Sequence, residues 1–377
     1  MSTEHVLADL EAQHGLDRRK IHCATNDSGN PPPESARVLH DRLDPQLEPD
    51  GAVVLELERD EGEAHHARWR NELWPWLHLV AIYRPQDGRL TCLTVEGKRK
   101  LDAPADGAKV WLVGRRREWV LSPDATVVKF DRNASAWNGD PGSPGYGHYR
   151  WMRRFVGLFG GAVPARRILD FGCGAGWVGI EAARRSPGAS LAAFDPSPNM
   201  VELTRDNAKA EGIAEFDGDV GFGHAPPFPR AGSEPFDLVL SSGVVSFAPD
   251  FDEWMEGLVK TVAPGGTLIF GDINPASSGM QRRRRQRALL PVRELNGCPR
   301  ERARQWLEAR GFRHELSAGY QLTWPIPQAM YVSETKLKGL LSPLFLLANR
   351  MAAGVDSKLG ARGLAAFDSW VMRFRRA

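Results

Sequence analysis

The sequence predicts an α/β protein: a mostly parallel sheet covered on both faces by helices, preceded by a small, mainly β accessory domain. Three observations predict it. After Asp131, short apolar runs alternate with amphipathic ones, the pattern of strand and helix in turn. One such run, Ile168-Leu169-Asp170-Phe171, passes straight into the glycine-rich turn Gly172-Cys173-Gly174-Ala175-Gly176. Between Gly51 and Phe130 the texture is instead a succession of β-type runs.

At 377 residues the chain is long for one domain and comfortable for two. Residues 1–50 read as a mostly irregular segment, with one short amphipathic helix near 6–13 and a polar stretch in which Asn30 precedes Pro31, Pro32 and Pro33. Such composition buries little. Residues 51–130 read as a small antiparallel β domain with strands at 52–57, 77–83, 90–95, 109–113 and 126–130, and Asp87-Gly88 marks a hairpin between two of them. Residues 131–377 form the α/β domain. Its strands are expected at 167–171, 191–195, near 220–224, 236–241 and 267–272, and its helices at 177–185, 198–211, 251–262 and 300–310. Gly311-Phe312 starts a further strand, and 363–376 reads as the last one.

Composition narrows the function. Lys and Arg total 49 against 47 Asp and Glu, a formal charge of +2, so no global field argues for a nucleic-acid partner. Cys23, Cys92, Cys173 and Cys298 lie far apart and form no C-x-x-C pair, so neither a zinc site nor a disulfide framework is indicated, and no metal is expected. The N-terminus has no apolar signal region and no apolar run reaches eighteen residues. A cytoplasmic protein fits these features best.

The strand-to-glycine-turn segment carries the chemistry. Glycines let a ligand approach the backbone, and the helix that follows presents unpaired N–H groups at its start. Asp195 ends the next strand, 23 residues after Gly172, where a carboxylate can accept two hydrogen bonds from a ribose diol. Taken alone the turn is ambiguous. Gly174-Ala175-Gly176-Trp177-Val178-Gly179 also satisfies the G-x-G-x-x-G pattern of nicotinamide-dependent enzymes, and a tight turn with no ligand gives the same residues.

The remaining motifs decide between cofactors. The sequence resembles the class I S-adenosylmethionine-dependent methyltransferases, particularly those acting on small molecules, quinones and lipids. Asp170, Gly172, Gly174 and Gly176 match the family's first motif, and Asp195 with Pro196 matches its ribose-binding acid. Phe236-Asp237-Leu238-Val239-Leu240 matches the fourth strand, Ser241 to Phe247 the loop after it, and Ala263-Pro264-Gly265-Gly266-Thr267-Leu268 the turn into the fifth. The resemblance implies a Rossmann-like, seven-stranded sheet with one antiparallel strand and S-adenosyl-L-methionine across the ends of the first, second and fourth strands. It also implies that Asp170 contacts the methionine end, and that a residue after the third strand meets the adenine. His224 stands where many relatives carry Asp there, and it either takes that contact or caps the strand.

Upstream, Phe130-Asp131-Arg132-Asn133-Ala134-Ser135-Ala136-Trp137 and Gly145-Tyr146-Gly147-His148-Tyr149-Arg150 resemble the segment that folds over the cofactor. His148 and Tyr149 are the candidate catalytic residues, as base and as aromatic donor, or else ordinary packing residues. No metal or nucleophile–base pair is needed, since methyl transfer from a sulfonium is an in-line displacement governed by positioning. Asp272, ending the fifth strand, could point at the acceptor. The cluster Arg282-Arg283-Arg284-Arg285 suits an anionic acceptor or is a solvated helix face. Leu340, Leu341, Leu344, Phe345, Leu346 and Leu347 are too many apolar side chains for one narrow stripe, and imply a pocket roof, a peripheral membrane contact or sheet packing. The expected function is methyl transfer to a small-molecule or lipid-like acceptor at nitrogen or oxygen. The alternatives are a nicotinamide-dependent oxidoreductase and a non-catalytic cofactor-binding relative.

Overall fold

A computed structural model describes residues 2–14, 16–26, 29, 34–48, 51–58, 69, 72–73, 76–86, 89–95, 109–116, 123–140, 150–160, 164–281, 298–323, 329, 332–333 and 336–377. The chain divides into two compact units, one over Met1–Trp119 and the other over Val120–Arg282 and Leu295–Ala377.

The first unit holds α1 (Thr3–His14), β1 (Ile21–Ala24), α2 (Ala36–Leu43), β2 (Ala52–Glu58), β3 (Leu77–Gln86), β4 (Arg89–Val95) and β5 (Lys109–Arg116). Its five strands form one sheet in the order β1-β2-β5-β3-β4. All pairings are antiparallel except β1 with β2. Asp87-Gly88 lies outside the described residues, but β3 and β4 pair antiparallel across it with Gln86 opposite Arg89. The first fifty residues bury more than their composition suggests. Val6, Leu7 and Leu10 of α1 and Leu39 and Leu43 of α2 belong to the cores on this sheet, and β1 supplies its parallel edge.

The second unit begins with α3 (Pro123–Asn138) and α4 (Arg153–Gly160). Then come β6 (Arg167–Phe171), α5 (Trp177–Arg184), β7 (Ser190–Asp195), α6 (Pro198–Ala210), β8 (Phe216–Val220), β9 (Phe236–Ser242), α7 (Phe251–Lys260) and β10 (Val262–Ile273). The unit ends with α8 (Arg300–Glu308), β11 (Phe312–Leu322), α9 (Ser342–Lys358) and β12 (Phe367–Arg376). Seven strands form one sheet in the order β11-β12-β10-β9-β6-β7-β8, with β12 antiparallel to both neighbours and the other pairings parallel. Strand alternation sends Leu169, Phe171, Val239, Leu268 and Phe270 to one face and Ile168, Leu238, Leu240 and Ile269 to the other. Each face is closed by helices, which is why the strands read as continuous apolar runs.

Two expected elements are corrected. Residues 126–130, expected as a strand, lie inside α3, which begins at Pro123, a residue suited to the first helical turn. Over the sixteen residues of that helix, Phe130, Ala134 and Trp137 recur on one face, a periodicity the short β-branched run concealed. The strand expected near 220–224 is instead Phe216–Val220, where pairing with β7 from Leu191↔Phe216 to Asp195↔Val220 overrides the poor strand propensity of Asp217-Gly218-Asp219. The two aspartates are held outside by Arg230, at 2.8 and 3.0 Å.

Among the described residues no helix is long and apolar enough to cross a membrane. One edge of the large sheet is β11, and α9 covers it with polar side chains. Asp356 accepts from the N–H of Gly319 at 2.7 Å and of Gly363 at 2.8 Å, while Asn349 accepts from Leu322 N–H at 2.9 Å. The bonds from Gly319 and Leu322 satisfy donors that an edge strand otherwise leaves open, and the one from Gly363 ties down the turn after α9. Replacing Asp356 by Ala should therefore destabilise the second unit by about 2–4 kcal/mol, because two backbone donors lose a charged acceptor. Urea unfolding should show a lower midpoint at constant slope; an unchanged midpoint would mean that water serves those donors equally well.

Candidate functional site

The site grows from the ends of two adjacent strands. β6 delivers Asp170 and β7 delivers Asp195, both buried at the side of the sheet where the glycine turn emerges. Asp170 Oδ2 accepts from Gly179 N–H, in the first turn of α5, at 2.8 Å. It thus satisfies one of the donors a helix start leaves unpaired. Asp195 Oδ1 accepts from Ser197 N–H at 3.1 Å and Oδ2 from Gly174 N–H at 3.0 Å. Gly172 and Cys173 N–H both donate to Phe194 O, at 3.0 and 2.9 Å, so the turn is bound to β7 by main chain as well.

Two glycines of the turn differ in what they require. Gly176 takes φ +80° as N-cap of α5, and a Cβ there would lie 2.6 Å from Thr204 Cγ2. Gly174 takes φ +52°, but a Cβ would meet nothing within 4 Å. Gly176 is needed for packing, whereas Gly174 faces open space.

That space is a cleft whose lining includes Asp170, Gly172, Gly174, Asp195, Pro196, Arg153, Ser242, Gly243 and Val244. Phe130 and Trp137 of α3, Trp177 and Val178 of α5, Met200 of α6 and Phe247 give it an apolar wall. Phe130 packs edge-on against Trp137 at 5.8 Å and against Phe247 at 5.4 Å. Trp177 is fixed by its Nε1–H donating to Asn138 O at 2.9 Å, with Arg150 and Arg154 against its ring at 4.3 and 4.7 Å. On the β9 side, Arg153 Nη1 donates to Ser242 Oγ at 3.0 Å, and Ser242 Oγ lies 2.9 Å from Tyr320 OH.

Burial sets the electrostatics. It pushes the Asp170 carboxyl up to about 7, with the Asp195 charge adding to the rise, against the Gly179 N–H and Arg153. Asp195 is raised to about 6 by burial, against its two backbone donors, with Asp131 nearby contributing. Asp131, on α3, accepts from Ser197 Oγ and from Asn199 N–H and so caps the start of α6.

Residues 145–316 match the family described as "Methyltransferase domain". A trans-aconitate 2-methyltransferase from Streptomyces coelicolor is 35% identical over 102 residues, 27% of this chain and 33% of that protein. A ubiquinone biosynthesis O-methyltransferase from Rhizobium etli is 36% identical over 108 residues, 29% of this chain and 41% of that protein. A demethylmenaquinone methyltransferase from Thermus thermophilus is 33% identical over 135 residues, 34% of this chain and 57% of that protein. The chain thus spans between a third and just over half of these relatives' lengths. It carries a class I S-adenosylmethionine-dependent methyltransferase domain. S-adenosylmethionine is the cofactor of that domain.

Within the methyltransferase domain, the structure brings Asp170, Gly172, Gly174, Asp195 and Pro196 to one cleft, with Gly176 just behind the turn. Three expected residues lie elsewhere. Ser241 is buried within β9 and donates to Phe171 O at 2.9 Å; its neighbour Ser242 lines the cleft instead, because successive strand residues face opposite ways. His224, four residues beyond the end of β8, is exposed, stacked on Phe222 at 5.7 Å and absent from the cleft lining. The Asp272 carboxylate is held by Ser246, accepting from its Oγ at 2.7 Å and its N–H at 2.9 Å, and is likewise absent from the lining. His148, Tyr149 and the cluster Arg282 to Arg285 lie outside the described residues. Arg153 carries no motif, and Ser242 is matched only as part of the loop 241–247; their position in the fold brings the two together.

Asp170, Asp195 and Asp272 are all raised by burial, to about 7, 6 and 6 from 3.8. Each binds a proton more tightly folded than unfolded, so its contribution to stability is fully present below about pH 4 and is lost as pH rises through 6 to 7. For Asp195 alone this amounts to at most about 3 kcal/mol. The ligand-free protein should consequently melt at a lower temperature at pH 8 than at pH 5 in calorimetry. A melting temperature that climbs over that interval would refute the protonated, buried state of these acids.

Proposed function

We propose that the protein transfers the methyl group of S-adenosylmethionine to a small-molecule or lipid-like acceptor, at nitrogen or oxygen. The observation that carries this reading is the convergence of Asp170, Gly174 and Asp195 on one cleft with aromatic walls. The residues fit the cofactor. The open backbone at Gly174 admits a ligand against the turn, and each oxygen of Asp195 accepts one backbone bond, leaving capacity for the two hydroxyls of a ribose. Phe130, Trp137, Trp177 and Phe247 suit an adenine ring and a sulfonium.

The cofactor supplies an electrophilic methyl group on a sulfonium. The chain's own residues have the work of alignment and of keeping water out, which suffices for an in-line displacement. Arg153 and Ser242, fixed to each other and to Tyr320, are the polar groups we assign to orienting the acceptor. His148 is the group we propose to draw its proton, with Tyr149 as the aromatic donor next to it in the chain. The relatives named for ubiquinone, demethylmenaquinone and trans-aconitate support a small acceptor. A nicotinamide-dependent reading is disfavoured by the sheet, since antiparallel β12 inserts between β10 and β11, where the usual dinucleotide-binding order has parallel neighbours.

Calorimetric titration with S-adenosylhomocysteine tests the cofactor site. Asp195→Asn should weaken binding by about 1.5–3 kcal/mol, ten- to a hundredfold or somewhat more. In the unaltered protein the affinity should fall as pH drops through about 7 to 6, where Asp170 and Asp195 take up protons, and the Asn variant should lose the part of that dependence centred near 6. Binding indifferent to both changes would remove Asp195 from the site, and tight binding of a nicotinamide dinucleotide in its place would overturn the reading.

The two glycines separate ligand contact from packing. Gly174→Asn, a residue that tolerates the φ of +52° and fills the open space, should leave the fold largely intact and abolish S-adenosylhomocysteine binding and methyl transfer to quinol or carboxylic acid acceptors. Gly176→Ala should lower the melting temperature, because Thr204 stands in the way. Normal binding by the Gly174 variant would mean that the turn is structural only.

A further inference from the structure

Helix α9 is built inside out. Its buried positions are Ser342, Asn349, Ala353 and Asp356, three of them polar. Its outward positions include Leu344, Leu347, Met351 and Val355, spaced by three and four residues along one face. Leu344 and Met351 are 63% and 64% exposed, and Leu340, in the turn just before the helix, is 76% exposed. Helices on water-facing surfaces put such residues inside, and contiguous apolar surface of this kind marks a contact site.

We propose that this face of α9 docks on an anionic lipid surface. Charge identifies the occupant. Residues 336–363 contain Lys336, Lys338, Arg350, Lys358 and Arg362, and their one acid, Asp356, is buried. Among the described residues none of the five cations is engaged in an ion pair. An apolar stripe with long cationic side chains beside it and no exposed acid is the composition of a helix lying in a membrane interface, its cations reaching the headgroup phosphates. A second copy of the chain fits poorly, because pairing this face with itself brings like charges together. Beside the stripe, Trp151, Met152, Leu346 and Leu347 line a cleft together with Lys338 and Arg350, its further arginines, Arg154, Arg184 and Arg185, being paired with Glu181, and these apolar walls and cations suit an acyl chain and its phosphate. Spanning the bilayer is not implied; the helix lies on the surface.

Co-sedimentation of the full chain with vesicles tests this independently of methyl transfer. Vesicles of phosphatidylcholine and phosphatidylglycerol should bind the protein at least about tenfold more tightly than phosphatidylcholine alone, with release at high salt. Leu344→Ser with Met351→Ser, and separately Arg350→Gln with Lys358→Gln, should each reduce bound protein several-fold while S-adenosylhomocysteine affinity and circular dichroism stay normal. Absence of binding to anionic vesicles, or variants that bind like the parent, would overturn the proposal. So would a dimer in sedimentation analysis that the apolar variant dissociates. Should the apolar variant fail to fold, the charge variant decides alone.

Discussion

Asp170 and Asp195 are carboxylates that water would solvate, yet both are buried at the ends of adjacent strands and bound by N–H groups of the glycine turn, of α5 after it and of Ser197 at the start of α6. Much of the site depends on that arrangement. The N–H of Gly179 holds Asp170 at the foot of α5, and the N–H of Gly174 holds Asp195 beside the turn. The bonds fix the turn from two sides, so its backbone stands open toward the cleft without collapsing into it. Burial carries an electrostatic cost that backbone donors only partly offset, and the raised carboxyl pKa values of about 7 and 6 record it. A polar or cationic ligand that brings hydroxyls or positive charge to these carboxylates would recover that cost, which makes the strain of the ligand-free site a source of affinity.

The second half of the cleft follows from the first. With the turn fixed, Trp177 at the start of α5 is held against Asn138 at the end of α3, and the same helix carries Phe130, Trp137 and Asp131. Asp131 reaches Ser197 and Asn199 at the start of α6, directly after the β7 carboxylate. One helix therefore supplies the aromatic wall and braces the element that follows Asp195. Its alignment depends on the same few hydrogen bonds as the acid it flanks.

This explains what could be read in the amino-acid sequence. The strands β6, β7, β9 and the later half of β10 announce themselves because both faces of a parallel sheet are covered, and the glycine turn because its spacing is local. Asp170, Gly174 and Asp195 were legible for the same reason. The pairing of Arg153 with Ser242 was not, because the two meet only after α4 crosses to β9, 89 residues away in the chain. His224 was misplaced by a strand whose register comes from β7 and not from its own propensity, and Ser241 by a single step of strand alternation. The helix at residues 126–130 was hidden by β-branched residues whose β propensity the longer helical period outweighs.

The C-terminal helix shows how one constraint leaves another choice free. The edge strand β11 needs acceptors for outward N–H groups, and Asp356 and Asn349 supply them, so the inner face of α9 must be polar. That requirement accounts for the buried polar residues and says nothing about the opposite face. A helix under that constraint alone would do best with Glu, Lys, Gln or Ala outside, which favour helix and water alike. Leu344, Leu347, Met351 and Val355 stand there instead, and Val is a weaker helix former than any of those. Neither the capping of the sheet nor the stability of the helix calls for them, and a contact made on the outer face does.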